Sequence, residues 1–281
     1  MRRSGVVRHA RGLGLHDHVC WAYDDREEFR RHASEFVRDG LAERQLVWYV
    51  ARGEPDMLAT DLRDVAGLDE ALRTGAARLV SLDAAHPVGE VVAPVAQIEA
   101  YAAATEQAIA AGYTGLRVVA DCTSLVQTPR QVEAFARYEY MVDRLMATQP
   151  FSAMCAYQHS LVGNAVLTQV ACLHPASNGP TPDFRLFASA QAAVMLHGEL
   201  DWFSADAFAE ALRQADPQPA AGQLVVDASG LRFLDHNCLL TLAEHAARHN
   251  ATLVLRTAWP GAARMVRLLD LPHIRVEEAA A

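Results

Sequence analysis

His16, His18 and Cys20 alternate near the start of the chain, so on an extended segment their side chains would all point to one side. Imidazole and thiolate suit zinc or iron, and one reading of these residues is a metal or haem sensor. The other is a buried strand that begins with polar residues, because no second pair of ligands is placed by the sequence. No residue is therefore assigned as a metal ligand, and no cofactor is expected. A second cluster follows the apolar run Leu224 to Val226, which reads as a buried strand. Ser229-Gly230 is expected to turn the chain, and the spacing from Leu239 onward is helical. Asp235 and Asn237 then lie where a strand hands over to a helix, as capping residues at a positively polarised N-terminus.

Some chemistry is excluded by what the chain lacks. All 25 basic residues are Arg and there is no Lys, which removes a complete phosphate-binding loop, a Schiff base with pyridoxal phosphate and Lys as general base. Gly12-Leu13-Gly14 is the one candidate phosphate loop, and Asp121, after an apolar strand, is the acid that could hold magnesium in a degenerate nucleotide-binding enzyme. The formal net charge of −9 argues against a nucleic-acid partner. No run of about 18 apolar residues and no apolar signal-peptide core is present, so a cytoplasmic protein with no membrane partner is expected. Five cysteines without a Cys-x-x-Cys pair do not suggest a disulfide framework.

The elements that must position these residues alternate. Strands are predicted over 19–23, 46–51, 77–82, 116–121 and 152–157, and helices over 26–40, 56–66, 95–111 and 129–148. Continuous apolar strands separated by helices imply an α/β fold with a mostly parallel sheet covered on both faces, where ligands bind outside the carboxyl ends of the strands. The proline-rich stretch from Pro175 to Asp183 marks a boundary, giving a first domain over 1–178 and a second over 179–281.

The second domain carries Gly-Glu-Leu-Asp at 198 to 201, ending in Asp201, and the segment 224 to 240 containing Asp235, His236, Asn237 and Cys238. With its alternating strands and helices it resembles the STAS domain of anti-sigma-factor antagonists. The resemblance implies a partner-binding loop at Asp201 and Asp235 to Cys238, and an anti-sigma factor or related kinase-type regulator as partner. Phosphorylation-switched antagonists have Ser two residues after the loop Asp. Here that position is Asn237, which has no hydroxyl to receive a phosphoryl group.

The first domain carries Asp-His-Val-Cys-Trp-Ala-Tyr at 17 to 23, Gly-Tyr-Thr-Gly-Leu-Arg at 112 to 117, Tyr138-Glu139, Cys-Ala-Tyr at 155 to 157 and His174-Pro175. Together these resemble the MEDS domain, a sensory module of methanogen and methylotroph regulators that respond to small hydrocarbon derivatives. The resemblance implies a RecA-like α/β fold without a working nucleotide loop. It also implies ligand-binding positions at His18, Tyr23, Arg117, Glu139, Cys155, Tyr157 and His174, with Cys20 beside them and Asp121 where the family has Glu. Cys155 and Tyr157 read equally as core packing, and His18, Arg117, Asp121 and Glu139 as an internal polar network. As a site, those last four are expected to line one pocket at the carboxyl ends of the strands. The leading expectation is a signalling protein, not an enzyme, in which a small organic ligand or redox state sensed by the first domain controls the second. Homo-oligomerisation is left open.

Overall fold

A computed structural model describes residues 2–87, 89–179 and 181–279. Contacts divide the chain into two compact units, Met1–Thr181 and Pro182–Ala281. The first unit runs β1 (Gly5–Val6), β2 (His18–Tyr23), α1 (Arg26–Ala42), β3 (Leu46–Ala51), α2 (Pro55–Asp61), α3 (Leu68–Thr74), β4 (Ala77–Ser81), α4 (Leu82–Ala85), α5 (Pro94–Ala110), β5 (Leu116–Asp121), α6 (Pro129–Thr148), β6 (Phe151–Gln158), α7 (His159–Ala171) and β7 (Ala176–Ser177). Its sheet has the order β1-β7-β2-β6-β5-β3-β4, and every pairing is parallel. Without the edge strands β1 and β4, the remaining five in chain order stand as 5-1-4-3-2, a RecA-like arrangement. Parallel neighbours require crossover connections, and helices supply them on both faces.

Two cores result, one on each face of the sheet. Side chains of β2 alternate between them: Cys20 belongs to the core that includes Tyr101 of α5 and Phe135 of α6, whereas Val19, Trp21 and Tyr23 join the core under Phe29 and Phe36 of α1. Both faces are covered, so the strands read as continuous apolar runs. Helix α7, which the sequence spacing does not predict, is interrupted at Gly163, whose φ of 74° lies outside helical space.

The second unit runs β8 (Phe184–Phe187), β9 (Val194–Leu200), α8 (Ala205–Ala215), β10 (Gln223–Leu234), α9 (His236–Arg248), β11 (Thr252–Arg256), α10 (Gly261–Leu268) and β12 (Ile274–Glu277). Its sheet has the order β12-β11-β10-β9-β8, parallel except for the antiparallel β8–β9 pair. Ser229-Gly230 does not turn the chain. It lies inside β10, where the register against β9 shifts, and a Cβ on Gly230 would stand 2.4 Å from the His197 ring. Pairing with β9 overrides the local turn signal, and Gly permits the close approach.

Candidate functional site

Helix α6 is opened by a capping box between Thr128 and Gln131 and buries Val132, Phe135, Ala136, Val142 and Met146 against the sheet. Glu139 and Asp143 fall on that same stripe, four residues apart, and are fully buried. They meet the sheet where β2 pairs with β6, Cys20 lying opposite Cys155 and His18 opposite Ala153. His18, Cys155 and Tyr157 face this helix because side chains of a strand alternate.

The polar side chains interlock. The His18 Nε2 atom lies 3.2 Å from Glu139 Oε2 and 3.5 Å from Cys155 Sγ, while its Nδ1 lies 2.9 Å from Asp143 Oδ1. Cys155 Sγ is also 3.5 Å from Glu139 Oε2. The Tyr157 hydroxyl donates to Glu139 Oε1 at 2.5 Å. His174, in the turn after α7, places Nε2 3.5 Å from Glu139 Oε2 and donates from Nδ1 to Val170 O at 2.8 Å. Arg2 forks onto Asp143 and balances its charge.

Burial opposes charge on His18, but the contacts with Asp143, Cys155 and Glu139 outweigh it and hold its pKa well above the ordinary value. Burial and the neighbouring His18 push His174 down to about 4. Burial would raise the Glu139 carboxyl, yet His174, His18 and Tyr157 keep it low. The thiol of Cys155 is raised by Cys122, by burial and by Glu139.

Cys155 has a second neighbourhood. It lines a cavity of about 80 Å3 walled by Trp48, Tyr101, Phe135, Tyr138 and Cys122, room for a molecule of a few non-hydrogen atoms. The cavity is an apolar pocket with a polar network behind one wall, the usual composition of a small-molecule site.

The structure separates the four residues expected in one pocket. Glu139 and His18 meet, but His18 opens its strand instead of closing it. Arg117 points to the opposite face, fully buried, with its guanidinium carbon 3.9 Å from the Phe36 ring centroid and hydrogen bonds to Leu13 O and Gln45 Oε1. Burial lowers its pKa to about 10 despite Glu43, Asp39 and Asp17. Asp121 closes β5 on Arg117's face and accepts from the Thr123 amide at 3.2 Å. Tyr23 joins that end, 3.3 Å from Thr123 Oγ1. Odd and even positions of a strand point apart, and β2 and β5 both present their even positions to α6, so His18 faces that helix whereas Arg117 and Asp121 point away from it. His16 likewise departs from the alternation with His18 and Cys20: it is exposed in the turn before β2, with Nδ1 2.8 Å from Met146 O. Cys20 is buried on the His18 face among apolar residues.

Where RecA-like sheets carry a phosphate loop, between the first central strand and its helix, this chain has Asp24 and Asp25. Asp25 caps α1 by accepting from Glu28 N at 2.9 Å, the Asp24 amide donates to Glu28 Oε2, and Glu27 adds further negative charge in the first turn. Carboxylates thus occupy the end of the helix dipole that binds phosphate elsewhere. The amides of Gly12 and Gly14 donate to Asp39 and Asp17, which satisfies the other candidate loop.

In the second unit, β9, β10 and β11 are parallel and their following loops share one sheet edge. Asp235 caps α9 by accepting from Asn237 N at 2.7 Å, and its own amide donates to Leu200 O. Asp201 pairs reciprocally with Ser204. His236 is exposed and Asn237 half-buried, whereas Cys238 is buried and its thiol is pushed up to about 12 by burial beside Asp235 and Asp201. Cys238 therefore packs inward and offers no surface to a partner, because it falls on the inward side of α9's first turn. Sequence reasoning missed Trp202 and Phe203, 72% and 89% exposed in the loop after β9. It also missed Asp143, whose signal was a second carboxylate on an apolar helical stripe.

No curated protein matches the chain. A family model described as the MEthanogen/methylotroph, DcmR Sensory domain matches residues 17–175, and one described as Mlab, STAS domain matches residues 186–276. The chain therefore belongs to the MEDS sensory family and carries a STAS domain behind its MEDS domain.

Proposed function

We propose that this is a signalling protein that works by binding and not by catalysis. Its MEDS domain takes a small, largely apolar organic molecule into the cavity bounded by Cys155, and the ligand controls what the STAS domain binds. The observation that carries this reading is the contact of one buried thiol with both an aromatic-walled cavity and the His18–Glu139–His174 network, within a sensory family. Acid-filled amides at the start of α1 weigh against a nucleotide as the ligand.

The STAS domain offers the edge formed by Asp201 to Phe203 and Asp235 to Asn237 to a protein partner of the anti-sigma-factor or kinase-type class. Exposed Trp202 and Phe203 supply the aromatic anchors that protein interfaces favour.

A thermal-shift screen of the full chain against small organic molecules tests the sensory half, since a ligand that binds only the folded state raises Tm. Ala153→Leu fills the cavity and is expected to abolish the shift. A shift retained in that variant would place the ligand elsewhere. For the partner half, Trp202→Ala with Phe203→Ala is expected to weaken binding of an anti-sigma factor, and unchanged affinity would count against this edge.

A further inference from the structure

His18 Nε2, Glu139 Oε2, Cys155 Sγ and His174 Nε2 all lie within 4.8 Å of one another, and none of the four residues is exposed. Four of the six separations are 3.2, 3.5, 3.5 and 3.5 Å. A tetrahedral ion bound at about 2.0–2.1 Å to nitrogen and oxygen and about 2.3 Å to sulfur spaces its ligands about 3.3–3.6 Å apart. Those four separations lie at or near that spacing, and the other two, both to His174, are within 4.8 Å. We propose that His18, Glu139, Cys155 and His174 form a closed tetrahedral site for a divalent cation of the zinc class.

A second, independent observation is the way the outer atoms are held. His18 Nδ1 is engaged by Asp143, His174 Nδ1 by the Val170 carbonyl, and Glu139 Oε1 by the Tyr157 hydroxyl. Each of these contacts turns the remaining donor atom, Nε2, Nε2 or Oε2, toward the same point. Metal-binding imidazoles and carboxylates are oriented in this way by carboxylates, backbone carbonyls and hydrogen-bond donors.

Charge agrees. A divalent ion with the Glu139 carboxylate and the Cys155 thiolate sums to zero, and Arg2 neutralises Asp143, so no net charge is buried. Binding displaces the thiol proton of Cys155 and the Nε2 proton of His18 to solvent.

The other group of metal-competent side chains among the described residues, Asp216, His245 and His249, lacks this preparation. Both His245 nitrogens are engaged, by Pro217 O and by the Arg248 guanidinium, and a cation there would face Arg248.

Four protein ligands leave no open position, so the ion would be a structural tie joining β2, α6, β6 and the segment entering β7. The site does not depend on the ligand proposed for the cavity.

Elemental analysis of full-length protein, purified without chelator or metal resin, is expected to find about one equivalent of zinc-class metal per chain. Cobalt-loaded protein should show a thiolate-to-metal charge-transfer band together with the intense visible bands of tetrahedral cobalt. Cys155→Ser is expected to remove the charge-transfer band and weaken metal retention at least about tenfold, while Asp216→Ala keeps both. Negligible metal both as purified and after dialysis against zinc or cobalt would overturn the site, leaving His18 as a protonated partner of Glu139. So would bound cobalt without thiolate charge transfer, or a band that survives Cys155→Ser. Should that variant not fold, the wild-type cobalt spectrum still decides.

Discussion

The Tyr157 hydroxyl donates a 2.5 Å hydrogen bond to Glu139 Oε1, strand to helix, with both side chains fully buried. Burial and Glu139 hold the phenol well above its ordinary pKa, so it remains a donor. Tyr157→Phe leaves a buried carboxylate oxygen without this donor. The expected cost is about 1–3 kcal/mol in the urea transition of the MEDS domain. An unchanged midpoint would mean that Glu139 does not rely on Tyr157.

Gly40 of α1 lies against Arg117, so that a Cβ there would stand 2.5 Å from Arg117 Cδ and 2.8 Å from Val47 Cγ2. Gly40→Ala is expected to destabilise by about 1–3 kcal/mol through overpacking. Combined with Arg117→Ala the loss should be less than additive, because the second change opens the space the first one fills. Neither should alter the response to a ligand in the cavity, which lies on the other face of the sheet. Strict additivity in the double-mutant cycle would refute the contact.

Asn237 has no hydroxyl, and the nearby Thr241 spends its own on the Asn237 carbonyl at 2.9 Å. Incubation with anti-sigma kinases and ATP is therefore expected to leave residues 235–242 unmodified. Mass mapping that finds phosphate on Thr241 would show that this STAS domain has moved its switch by one helical turn.

His245 of α9 is buried, with Nε2 3.1 Å from Pro217 O and Nδ1 facing the Arg248 guanidinium at 3.1 Å. Burial, His249 and Arg248 lower its pKa below 6.5, outweighing the Pro217 carbonyl. The unfolded chain then takes up a proton that the folded chain refuses, so STAS stability falls as pH drops below about 6.5. His245→Gln should flatten this slope, as measured by denaturation at about pH 7 and pH 5. An identical slope would assign the dependence to other groups.

Strand and helix order in the MEDS domain was legible because its strands are buried on both faces. Leu46–Ala51 is an uninterrupted apolar run, and Leu116–Asp121 is apolar apart from Arg117 and the closing Asp121; their ends coincide with β3 and β5. Helix α7 was not legible, since Gly163 breaks its pattern. Nor was the length of β10, where pairing with β9 carries the strand through Ser229-Gly230.

The sequence by itself determined the absence of Lys, the acids at 24, 25, 27 and 28, the amide at Asn237, and which residues alternate along each strand. These are properties of composition and of a local repeat of two residues. Only the tertiary structure decided that β2 lies beside β6, bringing His18 to Cys155 across 137 positions of chain, and that α6 covers this pair with Glu139 and Asp143. The same packing sends Arg117 and Asp121 to the opposite face, because alternation settles which residues of one strand share a side but not which helix covers that side.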